Sequence, residues 1–483
     1  MPTTMPTTVV IDPVTRIEGH LKVTVLIDTV KGALQVTDAQ STGTLFRGLE
    51  NVLINRHPWD AQQLTQRMCG VCPVPHSMAS VLALQQAGLH EPPNNATLIR
   101  NLVLAANFLD SHILHFYHLS LPDYIDGPAM PPWRPSWSPD KRIDSVTSST
   151  LVKNYLSAID ARRKAHEMCA LLGGKMPHPP VFMPAGVTTT PRADRIARFQ
   201  ALLTEVTDFI NSTYLADVAT LANAYSDNYS IGVGHRNLLS FGVFGRGPTA
   251  DSSRLFKRGL AMGGSANVQE VNTRAIAEQV KYSWYDDATD NLKPSAGSTQ
   301  PVYPKTDAYS WSKAPRYDGN PMETGPLARM WINGEYQNGI STMDRHVARA
   351  QEAAKLAAAM PGWLAQIDTT AAVYADGATV PENGVGEGLT EAPRGAIGHW
   401  LRITDSKIAN YQVITPSCWN LSPRDSAGLR GPMEEALVGT PVTDVSQPIE
   451  VMRVIHSFDP CLACAVHVMR SGEGEPLAVL RLG

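Results

Sequence analysis

The chain has 483 residues, 43% of them hydrophobic and 18% charged, with a formal net charge of −4; this is the balance of a folded globular protein and excludes a disordered one. A pI near 6.4 gives no electrostatic case for nucleic acid as a partner. No apolar run approaches the roughly 20 residues needed to span a bilayer, and residues 1–13 lack the basic-then-apolar order of an export signal, so none is expected within this sequence.

At this length two or more packed lobes are expected. In chain order, His20–Val25 alternates apolar and polar residues, and a Lys31-Gly32 turn precedes Ala33–Val36, which predicts a half-buried hairpin. Residues 1–60 therefore read as a β-rich segment leading to the first cysteine pair. From Leu98 to Leu119, Leu102, Ala105, Leu109, Ile113 and Phe116 recur at helical steps. Similar periods run through Tyr155–Leu172, Ile196–Leu221 and Met343–Leu364, so residues 61–290 read as a helical bundle. Gly127–Pro139, with five prolines and two tryptophans, reads as an irregular surface excursion. Ser295–Gly339 is rich in Pro, Gly and Tyr, and residues 291–340 read mostly as loop. Residues 341–467 combine a helix with β segments and the second cysteine pair, and 468–483 form an extension. The fold class expected is α+β, mainly α: a long-helix bundle with small β elements.

The six cysteines are too few for a disulfide scaffold in a chain of this size. Four form two Cys-x-x-Cys pairs at opposite ends, Cys69-Gly-Val-Cys72-Pro and Asp459-Pro-Cys461-Leu-Ala-Cys464-Ala-Val-His467. Four thiolates suffice for one centre of a soft metal such as zinc, nickel, iron or copper(I). On cysteine pattern alone a structural zinc or a redox disulfide is equally admissible. Cys169 reads as a small buried hydrophobe, and Cys418 as packing with some sensitivity to oxidation. Too few cysteines remain to ligate an iron–sulfur cluster.

The flanking residues separate these readings. Arg67–Pro73 and Asp459–His467 resemble the two metal-binding signatures of nickel–iron hydrogenase large subunits, in the right order and at the right ends. Ile11–His20, Phe46–Glu50, Lys313–Tyr317, Glu391–Gly395 and Trp419–Asp425 also look like segments of that family, so the resemblance covers nearly the whole chain. Ser111–His118 and Gly173–His178 are most similar to the periplasmic, nickel–iron–selenium-like branch, with Cys461 where that branch has selenocysteine.

The resemblance implies a large-subunit fold and a nickel–iron centre whose iron carries carbon monoxide and cyanide. Cys69 and Cys461 would bind nickel terminally, and Cys72 and Cys464 would bridge to iron. Glu18 matches the glutamate beside the terminal thiolate and would carry protons, although by residue type alone it is a surface glutamate at the start of a strand. Arg394 matches an arginine over the open metal position, and an ion pair with Asp123 or Asp459 is its plainer role. Pro393 and Ser417 match positions around the cyanides, with Ser417 as a donor. His76 matches an imidazole near a bridging sulfur. Glu50, the backbone carbonyl of Val413 and His467 match a second, hard-metal site for magnesium or iron.

The activity implied is reversible heterolytic oxidation of dihydrogen, with electrons passed to an iron–sulfur small subunit; His178 is a candidate near that interface. Further partners implied are nickel and iron insertion proteins and an endopeptidase that cuts after His467, removing residues 468–483. Localisation would be periplasmic or membrane-associated, by export alongside the small subunit, with a cytoplasmic enzyme as the alternative. A hydrogen sensor of the same family is the competing function. A nickel-free quinone-site relative is disfavoured by the presence of all four cysteines, and a structural zinc protein leaves the contexts of Glu18, Glu50 and Arg394 unexplained.

Overall fold

Two β layers and a bundle of long helices converge on the first cysteine pair. They are seen in a computed structural model that describes residues 6–88, 90–245 and 253–462. Strands β1 (Thr7–Ile11), β2 (Leu21–Val30) and β3 (Ala33–Gly43) form an antiparallel sheet in that order. The expected hairpin is present, with Val30 opposite Ala33. Lys31 and Gly32 both take positive φ, 54° and 88°, as a two-residue turn matched to strand twist requires. Leu21, Val23, Val25 and Ile27 point inward, giving β2 its alternating burial.

Helix α1 (Pro73–Gly88) begins directly after Cys72, with proline at the position where a missing N–H costs nothing. Helix α2 (Asn94–Leu114) runs on into a wider turn, His115–Ser120. Helices α3 (Ser145–Gly173), α4 (Ala193–Phe209) and α5 (Leu215–Ala224) share one hydrophobic core with α2 and complete the expected bundle. Residues 127–139 contain no helix or strand, yet Trp133 is buried. Strands β4 (Leu238–Val243) and β5 (Phe256–Ala261) then form a buried ribbon.

The stretch 295–339 is mostly loop, as read, but not throughout. It holds helix α6 (Pro326–Asn333), entered from Gly325 at φ 131° and left through Gly334 at φ 80°. The proline and glycines that read as breakers are this helix's start and stop signals. Helix α7 (Thr342–Leu364) follows, its first turn capped by the Ser341 hydroxyl, which accepts from the Asp344 N–H.

Strands β6 (Gly384–Ala392), β7 (Gly395–Thr404) and β8 (Lys407–Ile414) make a second antiparallel sheet. Helix α1 lies directly on β6 because Gly384, Gly386 and Gly388 present no side chain to it. A Cβ on Gly388 would stand 1.8 Å from the Ala79 carbonyl oxygen. Helix α8 (Ile449–Ser457) closes the described chain before the segment ending at Leu462.

Candidate metal centre

Each arm of the site is aimed by a local device. In the Cys69–Cys72 loop the Cys69 sulfur accepts from the Val71 and Cys72 N–H groups at 3.3 and 3.2 Å, so the turn closes on its own thiolate. Arg47 donates to the carbonyls of Arg67 and Met68 just upstream. From α2, the Asn107 amide donates to the Val71 carbonyl at 3.1 Å.

The opposite arm leaves α8 at Ser457, whose carbonyl accepts from Arg349 at 3.2 Å. Arg345 and Arg349 supply positive charge at this helix's C-terminal end. Asp459 turns the chain with φ 54°. Cys461 is then fixed on both sides. Its N–H donates to the Ser417 hydroxyl at 3.0 Å. Its segment also bridges Glu18, with Glu18 N–H donating to Pro460 O at 3.2 Å and Leu462 N–H to Glu18 O at 2.8 Å.

The result is three buried sulfurs, from Cys69, Cys72 and Cys461, all within 4.8 Å of one another. The Cys461 sulfur lies 3.4 Å from that of Cys69 and 3.7 Å from that of Cys72. Sulfurs bound at ~2.3 Å around one tetrahedral ion stand about 3.8 Å apart, so the spacing fits a shared metal. No disulfide joins the described cysteines. Cys464 and His467 lie outside the described residues.

The Glu18 carboxylate faces this cluster, its Oε2 accepting from the Cys461 sulfur at 3.2 Å. Arg394 occupies the tip of the two-residue hairpin between β6 and β7, where Ala392 pairs with Gly395, and is buried. Its Nε donates to the Asp459 carbonyl at 3.1 Å, and its Nη2 lies 2.9 Å from Asp459 Oδ1. Burial opposes its charge, but the negative charge of Asp459 and of thiolates at Cys461, Cys72 and Cys69 outweighs that and holds it firmly protonated. Its Nη1 has no hydrogen-bond partner among the described residues, and the Ser417 hydroxyl hydrogen has no acceptor among them. Two donors thus stand ready beside three sulfurs, which fits a metal group carrying polar ligands.

Asp123 has other partners. Its carboxylate pairs with Arg16 and with His456. Burial would raise it, yet the Arg16 guanidinium and the hydrogen bond with His456 hold it well below the usual carboxylate range. The alternative of an Arg394–Asp123 pair therefore gives way to Arg394–Asp459, because Arg16 reaches Asp123 first.

His76, buried on α1, meets His399 Nε2 through Nδ1 at 3.3 Å. Burial brings it down to about 4, with Cys69 opposing and Arg47 assisting, so the ring is neutral at ordinary pH. The Glu50 carboxylate accepts the Val413 N–H at 2.8 Å and a Thr299 hydroxyl bond; Lys313, paired with Glu278 at 3.2 Å, is a nearby cation. His178, at φ 60° and half-buried, hydrogen-bonds the Cys69 backbone. The Pro393 carbonyl accepts from Arg329 at 2.8 Å. Sequence reasoning did not single out Arg329, Asn107 or the three β6 glycines. Alternate glycines inside a β run were the one available signal, marking a close backbone approach.

The nickel-dependent hydrogenase family matches residues 47–136 and 132–467, and a HoxL-like family matches residues 8–41. The chain is 40% identical to the periplasmic NiFeSe hydrogenase large subunit of Desulfomicrobium baculatum, over 96% of each chain. It is 33% identical to the hydrogenase-2 large chain of Escherichia coli K12, over 98% of this chain and 99% of that one. Its fold superposes on the NiFeSe hydrogenase of Desulfovibrio vulgaris Hildenborough with a TM-score of 0.92 at 41% identity, covering 96% of this chain and 100% of the other. Three clustered thiols, a hydrogenase large-subunit fold and relatives matched end to end lead to one assignment: the chain belongs to the nickel-dependent hydrogenase family, as a large subunit.

Proposed function

We propose that this large subunit oxidises dihydrogen heterolytically, with Cys461 and Glu18 as the first two stations for the released proton. The contact that carries this reading is the 3.2 Å approach of Glu18 Oε2 to the Cys461 sulfur. When bound, the nickel–iron pair supplies a soft, redox-active Lewis acid that polarises dihydrogen and takes up its two electrons. Cys69, Cys72, Cys461 and Cys464 would hold it.

The remaining steps belong to the chain. A thiolate sulfur at Cys461 accepts a proton and passes it to Glu18 Oε2, whose carboxylate is half-buried and so reaches both the sulfur and the exterior. Arg394, held charged by Asp459, fixes the electrostatics of a dry pocket without taking part in proton transfer. Ser417 ties Cys461 in place through its oxygen, and its hydroxyl hydrogen would be available to a polar ligand of the metal group, which Pro393 would also border. His76, neutral and hydrogen-bonded, orients beside the Cys69–Cys72 loop. Glu50, with the Val413 carbonyl and His467, would form the magnesium or iron site.

Electrons would pass to an iron–sulfur small subunit, with His178, which hydrogen-bonds the Cys69 backbone, as a candidate near that interface. Insertion proteins and a processing endopeptidase would complete assembly, and the intact mass of active enzyme would then end at His467; retention of residues 468–483 in active protein would remove the cleavage step. Periplasmic export with the small subunit follows the relative from Desulfomicrobium. The sensor alternative is not favoured, because the matching relatives bear the names of hydrogenase and uptake hydrogenase large subunits.

The test is Glu18→Gln, which keeps shape and removes the proton acceptor. Dihydrogen oxidation and isotope exchange with water should fall by about 10²–10⁴-fold, while nickel content and para-to-ortho hydrogen conversion persist. Unchanged exchange with solvent would place the proton route elsewhere.

A further inference from the structure

Arg329 is fully buried on α6, and each of its five N–H donors has an acceptor. Nε and Nη2 grip Glu352 of α7 at 2.8 and 2.6 Å. Nη1 donates to Glu391 Oε2 at 2.7 Å and to the Ala392 carbonyl at 3.0 Å, and Nη2 reaches the Pro393 carbonyl at 2.8 Å. The last three acceptors are the three residues immediately before Arg394. His112 of α2 holds Glu352 from behind at 2.8 Å, and the Phe241 N–H of β4 holds Glu391 at 2.6 Å.

The hairpin tip is closed from its other side by glycines. A Cβ on Gly395 would meet the Thr324 hydroxyl at 2.2 Å, and one on Gly325 would meet the Arg394 carbonyl at 3.0 Å. A two-residue turn bearing a long side chain has several ways to point it. Here two backbone carbonyls and one side chain before the arginine are locked into a single planar fork, a geometry that lysine cannot reproduce.

We propose that Arg329 is a positioning residue for Arg394, the Glu352–Arg329–Glu391 clamp setting the direction in which the Arg394 guanidinium faces the three sulfurs. This rests on the reading that Arg394 acts over the metal centre. Glu391 and Glu352 work in opposite regimes around the same cation. Burial lifts Glu391 to about 7 against the pull of Arg329, whereas Arg329 and His112 overcome burial and hold Glu352 at about 2.

The experiment is a double-mutant cycle in the assembled two-subunit enzyme, using Arg329→Lys, Arg394→Gln and the pair, each normalised to nickel content. The readouts are kcat for dihydrogen oxidation with an artificial acceptor and the nickel paramagnetic resonance spectrum. Arg394→Gln should lower kcat about 10²-fold and Arg329→Lys at least tenfold, both shifting the nickel g-values. The double variant should be no slower than Arg394→Gln, within about twofold, since the clamp has nothing left to aim. Losses that multiply in the double variant would make Arg329 a merely structural residue and overturn the proposal. Full activity in Arg394→Gln would instead overturn the reading beneath it. If Arg329→Lys takes up no nickel, Glu391→Gln replaces it, and the same non-additivity with Arg394→Gln is required.

Discussion

Replacing Gly388 by alanine forces a methyl group to within 1.8 Å of the Ala79 carbonyl oxygen and 2.6 Å of the Ala83 nitrogen. Those atoms are helix backbone and cannot rotate away. Ordinary contact begins at 3.4 Å, so α1 must retreat from β6 by about 1.6 Å in an interior packed as densely as a crystal. Seven residues separate Ala79 from Cys72, about 10 Å of helix, and a helix transmits such a shift almost undiminished. Catalytic geometry tolerates roughly 0.5 Å. Overpacking of this kind costs about 3 kcal/mol, and the Cys69–Cys72 loop moves with it.

The series built on β6 makes the reasoning refutable. The corresponding Cβ distances are 2.8 Å at Gly384, to the Ala87 oxygen, and 2.0 Å at Gly386, to the Ala83 oxygen. Nickel content, thermal midpoint and dihydrogen oxidation, measured on all three alanine variants, should fall least for Gly384→Ala and most for Gly388→Ala. Gly388→Ala with the wild-type midpoint and full nickel, or a reversed order along the strand, would show that the helix is not held by backbone approach.

Two further outcomes follow from buried polar groups. Ser417→Ala leaves the Cys461 N–H buried without its acceptor, a loss of about 1–3 kcal/mol; nickel should leave faster under a chelator, Ser417→Thr should restore retention, and wild-type retention in the alanine variant would refute the role. Glu434 accepts from the Ser41 N–H and the Tyr309 hydroxyl, both at 2.8 Å, and burial lifts its carboxyl from 4.5 to about 7. It is protonated in the fold where the unfolded chain is ionised, so stability falls as pH rises from about 4.5 to 7, by about 3 kcal/mol over that window. Thermal midpoints between pH 5 and 8 should slope less in Glu434→Gln than in wild type; parallel slopes would exclude the linkage.

Much of the fold was legible because the signals were local. The Lys31-Gly32 turn, the apolar steps of α2 and α7, and the Cys69–Cys72 pair each state their structure within a few residues. The contact of Glu18 with Cys461 came from family segments, since nothing near Glu18 distinguishes it from a surface glutamate. What escaped notice depends on distant partners. Arg329 lies in a stretch whose Pro326, Gly325 and Gly334 read as loop, and only the fold shows that they begin and end a helix. Asp123 could be drawn to any nearby arginine on paper, and the choice of Arg16 is decided by where β1 leads the chain. Glycines 384, 386 and 388 offered a period of two, but their meaning requires knowing which helix lies across them.

The short bridge between Glu18 and Cys461 also sets an order of events during synthesis. Glu18 makes backbone hydrogen bonds to Pro460 and Leu462 and a carboxylate–sulfur contact with Cys461, 443 positions along the chain. A nascent chain can build the first sheet, the helical bundle and even the Cys69–Cys72 loop while still attached to the ribosome. It cannot complete the metal pocket until residue 461 has emerged and swung back onto the amino-terminal strand segment. Until then the pocket lacks the Cys461 sulfur and the carboxylate contact that Glu18 makes with it.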